Sequence, residues 1–177
     1  MNKTIIAIDP GVSGGFACQH PGEEVTTENM PRTLRDIVDL LEVMKKDTDV
    51  FCIMEKVFGF MPGNGGASAA KFAEHIGALK MALIALKIPH ELVLPKKWMD
   101  TYVGRIPYPD SLSTKDEHGV KRKGVGPKRK TFRKNFIKAE SQRRFPHLKV
   151  TLATADALGL LAYAQLHISS QDALPLD

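Results

Sequence analysis

The chain has 177 residues, 43% of them hydrophobic, and a net charge of +5, which is enough for one packed domain near the common single-domain size. No apolar run approaches the roughly 20 residues needed to cross a bilayer, and the opening MNKTIIAIDPG meets an Asp too early for a secretory leader, so a soluble, cytoplasmic protein with no membrane partner is expected. The two cysteines, Cys18 and Cys52, stand far apart in apolar runs, which suits small buried hydrophobes in a reducing compartment better than metal ligands or a disulfide framework.

In chain order, Lys3 to Asp9 is an apolar run closed by a carboxylate, which predicts a buried strand. GGFACQH and EEVTTENM predict two more strands around the Pro21-Gly22 turn, making a three-strand meander. Leu34, Ile37, Val38, Leu41 and Met44 recur at helical spacing, so Arg32 to Lys46 reads as an amphipathic helix. VFCIME, Val50 to Glu55, is a short continuous apolar run typical of a strand covered on both faces, and it too ends on a carboxylate. A glycine-rich loop, GFMPGNGG, leads to a long helix from about Ala67 to Lys87. One face of that helix carries Phe72, Ile76, Leu79 and Leu83 and suits the sheet; the other carries Ala69, Ala73, Gly77 and Met81. The second face needs a partner, either another helix of this chain or the same helix of a second subunit. HELVL predicts a fifth strand, and Pro95 opens a short helix containing Trp98 and Tyr102. Gly104 to Lys128 has no sustained period and reads as a long loop, a length that is usually functional or disordered.

KRKTFRKNFIKAESQRRF then predicts a basic helix anchored by Phe132, Phe136 and Ile137. From Lys115 to Lys149 there are 13 Lys and Arg against 3 acids, leaving 12 against 17 in the remainder. A basic segment on a mildly acidic body is either a solvated stretch or the footprint of phosphate-backbone binding. Thr151 or Thr154 caps a last helix, ADALGLLAYAQLH, whose Leu158, Leu161, Ala162 and Gln165 side is expected to dock on the sheet. The sum is an α/β fold with a five-stranded mixed sheet flanked by helices.

Asp9 and Glu55 each end a predicted buried strand. If the strands are parallel neighbours, as a strand-helix-strand connection favours, both carboxylates emerge at the sheet edge where open α/β sheets bind ligands. Like charges crowded in a partly buried cleft need a proton or a metal to offset them, and a hard oxygen set suits Mg²⁺ or Mn²⁺. Asp156, in the first turn of the last helix, offers a third oxygen ligand. Asp9-Pro10-Gly11 is also good turn chemistry, and Asp156 also suits a helix N-terminus. Glu55 has no turn or capping role.

IIAIDPGVSGGFA, FCIMEKVFGFMPGNGGASAAKF and ATADALGLLAYA together resemble, in order and rough spacing, the three acidic motifs of the RuvC family of Holliday-junction resolvases. The long helix and VLPKKWMDTYVG are similar too, so the resemblance covers most of the chain. It implies a ribonuclease H-like fold across residues 1–177, with a basic loop-helix insertion at about 104–146. It further implies a homodimer that resolves four-way junctions by paired symmetric nicks, using two Mg²⁺ ions per site for which Mn²⁺ can substitute. Carried over by position, Asp9, Glu55 and Asp156 would be the catalytic metal ligands. Phe58 would stack at the junction centre, the alternative being a core Phe at a strand end. Lys121, Arg122, Lys123, Lys128, Arg129, Lys130, Arg133 and Lys134 would contact phosphates along the arms, without sequence preference and with steep salt dependence. Small size and the basic insertion look more like phage-type members, acting in a bacterial or phage-infected cell.

One departure stands out. The family usually places a fourth acidic or histidine ligand about a turn before the last Asp, where this chain has Thr151, Leu152 and Ala153, with His147 as the nearest substitute. The departure motivates an alternative, a catalytically impaired junction-binding protein of the same fold. A small actin-like phosphotransferase, using Asp9 and Gly11 to Gly15 around a nucleotide, would need a second domain of similar size, for which 177 residues leave no room.

Overall fold

The computed structural model describes residues 3–46, 49–57 and 66–171. β1 (Thr4–Asp9), β2 (Gly15–Gln19) and β3 (Thr26–Asn29) form the predicted antiparallel meander. α1 (Leu34–Lys45), capped by the Thr33 side chain accepting from the Asp36 N–H, crosses over so that β4 (Val50–Glu55) lies parallel to β1. α2 (Gly66–Ala85) repeats the move and sets β5 (His90–Val93) parallel to β4. Parallel neighbours require crossovers of about a dozen residues or more, and the two helices supply them. The result is one mixed sheet in the order β3-β2-β1-β4-β5.

Alternation along β1 divides the core. Ile6 and Ile8 join Phe16, Cys18, Cys52 and Met54 beneath Ile37, Leu41 and Met44 of α1 and Leu79 and Leu83 of α2. Ile5 and Ala7 face the other way, with Ala17, Ile53 and Val93, toward α3 (Pro95–Tyr102), α4 (Val125–Arg144) and α5 (Ala155–Gln171). A sheet covered on both faces is why β1 and β4 read as unbroken apolar runs. Both cysteines are free and buried as expected, and burial pushes the Cys18 thiol up to about 12.

α5 is more enclosed than its predicted docking side implies. Ala157, Leu158, Leu160, Leu161, Tyr163 and Ala164 are all buried, because α5 lies between the sheet and the α3–α4 pair. Gly159 is what lets α3 approach: a Cβ there would stand 2.5 Å from the Trp98 ring and 3.1 Å from the Tyr102 ring. Gly159→Ala is therefore expected to cost about 1–3 kcal/mol through overpacking, read as a lowered urea midpoint.

The stretch Gly104 to Lys128 carries more structure than the predicted loop. Asp110–Leu112 forms a 3₁₀ turn. Residues 114–122 fold back in a small hairpin with a Lys115–Lys121 bridge, closed by Asp116 Oδ1 accepting from the N–H groups of His118 and Val120 at 3.0 and 2.8 Å. α4 begins at Val125, three residues earlier than its basic run suggests. Ile137 is its core anchor, while Phe132 and Phe136 are half-buried and stack toward Tyr108 of the preceding segment. On α2, Ala73, Gly77, Met81 and Ile84 remain exposed, and no helix among the described residues covers them. Among the described residues no helix is long and apolar enough to cross a membrane.

Candidate active site

Three chain segments deliver carboxylates to one end of the sheet. β1 and β4 are in register through Ile8–Met54, so Asp9 and Glu55 follow at the carboxyl ends of adjacent parallel strands. Asp9 is 9% exposed. Below it the chain turns sharply: the Gly14 N–H donates to the Gly11 carbonyl at 2.9 Å, and a Cβ on Gly14 would lie 2.0 Å from the Asp9 carbonyl oxygen. Only glycine permits that approach, so the SGG that follows IDPGV shapes the floor of the site.

Asp156 comes from the other side, in the first turn of α5. The predicted cap is a reciprocal one in which both candidates take part. Thr151 Oγ1 accepts from the Thr154 N–H at 3.2 Å, and Thr154 Oγ1 accepts from the Thr151 N–H at 3.1 Å. The reciprocal bonds are those of a capping box with threonine in place of the usual acid, closing the turn that leads into α5. The position where a fourth ligand is expected is thereby committed to holding the helix start. His147 does not fill the gap, because its Nε2 lies 3.1 Å from the Val25 carbonyl and its ring packs edge-on against Phe145.

The three carboxyls sense one another. Burial, followed by repulsion from Asp156 and Glu55, pushes Asp9 up to about 8. Burial also raises Glu55 and Asp156, and Asp156 repels Glu55 as well. Lys134 opposes the rise at all three carboxyls, and Arg133 at Glu55 and Asp156. These two, expected to contact phosphates, thus act electrostatically on the acids. The periodicity of α4 explains Lys134: it is in phase with Ile137 and Ser141, three and seven residues on, and both are buried. Ser141 fixes that face, lying 3.0 Å from the Tyr102 hydroxyl and donating to the Ala155 carbonyl at 3.3 Å.

Glu55 has a further partner. Trp98 Nε1 donates to Glu55 Oε1 at 2.9 Å, from a ring that is 1% exposed and seated against Gly159. Nothing in the spacing of PKKWMDTY singles out this bond. Periodicity does place Trp98 and Tyr102 on one helix face.

An all-oxygen cluster of mutually repelling, partly buried carboxyls has the donor chemistry of a hard divalent cation site. Among the described residues, however, no three His, Cys, Asp or Glu side chains are drawn together closely enough to hold an ion as they stand. Of the other predicted residues, Lys121 and Arg122 are exposed within the hairpin and Lys123 just after it, and Lys128 and Lys130 are exposed on the first turns of α4. Arg129 is half-buried, with its guanidinium over the Tyr108 ring. Phe58 lies outside the described residues.

The carboxyl shifts carry a sign. Asp9 holds its proton more tightly in the folded protein, at about 8, than at its ordinary 3.8. Between roughly pH 4 and 8 the folded state therefore binds more protons, and stability falls as pH rises through that window. In chelator, the wild type is expected to lose at least about 1.4 kcal/mol more than Asp9→Asn between pH 5 and pH 8, read from urea midpoints.

The fold has a counterpart among solved proteins. RuvC from Thermus thermophilus aligns with a TM-score of 0.54 at 14% identity, covering 98% of this chain and 99% of that one. The fold is that of RuvC. The T. thermophilus protein in complex with a Holliday junction substrate gives a TM-score of 0.56, again at 14% identity and with 98% and 99% covered. The ribonuclease H-like fold and five-stranded mixed sheet expected from the motifs are thus borne out. No protein-family model and no curated protein sequence matches the chain. The likeness to RuvC therefore lies in the fold, spanning both chains nearly end to end.

Proposed function

We propose that this chain is a structure-selective endonuclease that resolves four-way DNA junctions by paired symmetric nicks. The observation that carries the reading is the convergence of Asp9, Glu55 and Asp156, from β1, β4 and α5, beside the cations of α4. Asp9, Glu55 and Asp156 would hold the divalent ions, Mg²⁺ or Mn²⁺. Such a pair supplies an activated water and charge stabilisation at the leaving oxygen. Lys134 and Arg133 act electrostatically on the carboxyls, and would temper the negative charge that otherwise repels a scissile phosphate. Trp98 holds one oxygen of Glu55, which leaves the other for a ligand.

A junction of two-fold symmetry needs two equivalent cuts, which a C2 pair of identical sites provides. The exposed Met81 and Ile84 of α2, beside an apolar cleft of about 270 Å³ lined by Leu34, Val38, Ala78 and Ala85, support a second copy docking there. The fold's occurrence in a protein solved with a Holliday junction substrate supports branched DNA as the partner.

Two observations favour a second reading, a junction binder without cutting activity: Thr151 is engaged in capping, and the carboxyls are not gathered into ligating geometry among the described residues. Incubating an end-labelled immobile junction and a matched linear duplex with the protein separates the two. Under the first reading, paired nicks appear in the junction alone, with Mg²⁺ or Mn²⁺ and not with chelator. Tight junction binding without nicks in either metal would establish the second.

A further inference from the structure

Between the Gly104–Thr114 segment and the first turns of α4 lies an open cleft of about 880 Å³, and none of the three carboxylates lines it. Its walls carry Lys96, Arg105, Arg129 and Arg133 against two acids, Asp100 and Asp110. Asp100 is already paired with Lys96 along α3.

Arg129 is preorganised. Its guanidinium carbon sits 3.5 Å from the centroid of the Tyr108 ring, and Nη1 donates to the Leu112 carbonyl at 2.8 Å. These contacts fix the plane of a fork whose geometry matches phosphate oxygens, so little side-chain freedom remains to be lost on binding.

The ring of Tyr108 is not open to a nucleobase. Arg129 covers one part of its surface, and Phe132 packs against it at 5.5 Å between centroids, itself followed by Phe136. The cleft therefore suits backbone phosphates rather than stacked bases. Arg133 gives continuity: it lines the cleft and also acts electrostatically on Glu55 and Asp156.

We propose that this cleft is a track for the phosphodiester backbone of the DNA strand that passes the carboxylate site, with Lys96 and Arg105 as contacts beyond the basic run of α4. The proposal rests on the junction reading above and deepens it, because it assigns strand-holding to the segment between α3 and α4.

The test is anisotropy of a labelled four-way junction titrated with the full chain in chelator over a series of salt concentrations. Wild type is compared with Arg105→Ala, Arg129→Ala and Arg32→Ala, the last an exposed arginine of the Pro31–Thr33 stretch before α1. Arg105 is exposed, so its truncation leaves the thermal midpoint in place. Each cleft variant is expected to weaken binding roughly three- to tenfold and to lower the salt slope by about 1. The loss should be equal for junctions of unrelated sequence, and Arg32→Ala should match wild type. Unchanged affinity and slope in both cleft variants, with wild type still binding the junction, would overturn the track alone. A loss confined to one junction sequence would also overturn it, in favour of base readout. Failure of the unaltered chain to bind branched DNA would overturn both the track and the junction reading.

Discussion

Asp9→Asn is expected to lower metal-dependent junction cutting by at least about three orders of magnitude while junction affinity stays at or above the wild-type value. The substitution keeps the shape of the side chain at the end of β1 and the Gly11–Gly14 turn beneath it. In chelator Asp9, raised to about 8, is largely protonated near neutral pH, so the neutral amide changes the charge of the empty site little. Binding through α4 and its neighbours is thereby left in place, whereas an amide is a much poorer partner than a carboxylate for a hard divalent cation. Initial rates under single-turnover conditions and anisotropy in chelator read the two effects separately. Retained nicking by the variant would show that Asp9 is not in the reacting centre.

The second large effect is expected at Trp98. Trp98→Phe keeps most of the buried ring volume beside Gly159 and deletes the donor to Glu55. Removing a partner that orients a ligand typically costs about 10- to 100-fold in metal affinity or activity. The variant should therefore need a higher Mn²⁺ concentration for half-maximal nicking and recover toward wild type when Mn²⁺ is raised, with junction binding in chelator unchanged. Recovery on added metal separates positioning of Glu55 from a packing defect. Trp98→Ala, by contrast, is expected to cost about 3–5 kcal/mol of stability through the cavity it leaves, and added metal should not restore it.

Much of this molecule is legible from its residues. The apolar runs of β1 and β4 are unbroken because two helical layers cover the sheet, and their carboxyl-terminal acids stand side by side because the α1 crossover makes the strands parallel. Periodicity finds α1 correctly, since Ile37, Leu41 and Met44 are its buried residues. What escapes is tertiary. Lys134 and Lys130 look alike in a basic run and share the helix face of the buried Ile137 and Ser141, yet Lys134 is half-buried while Lys130, one turn nearer the start of α4, is exposed. Spacing does not encode that difference, which is set by where α4 meets the rest of the fold. The bond from Trp98 to Glu55 joins residues 43 apart, and no local pattern encodes it. The order in residues 104–124 comes from Tyr108 packing on Phe132 and from Asp116 closing a turn, which composition alone reads as loop.

Thr151 stands where the resemblance to RuvC leads a fourth acid to be expected, and its side chain is engaged with Thr154. The capping box stabilises the α5 start, and with it Asp156, by roughly 1 kcal/mol. It contributes no negative charge, so divalent ions would be held more weakly than by four acids.

The most direct test of the central claim is Mn²⁺ binding followed by electron paramagnetic resonance, with wild type and Asp9→Asn titrated side by side in the absence of DNA and again with an uncleavable junction. Asp9, Glu55 and Asp156 acting as a metal centre predicts saturable loss of the free Mn²⁺ signal in wild type, strengthened by the junction and largely lost in Asp9→Asn. Identical, non-saturating traces for the two proteins, with and without the junction, would contradict it and leave the carboxylate cluster without a metal to serve.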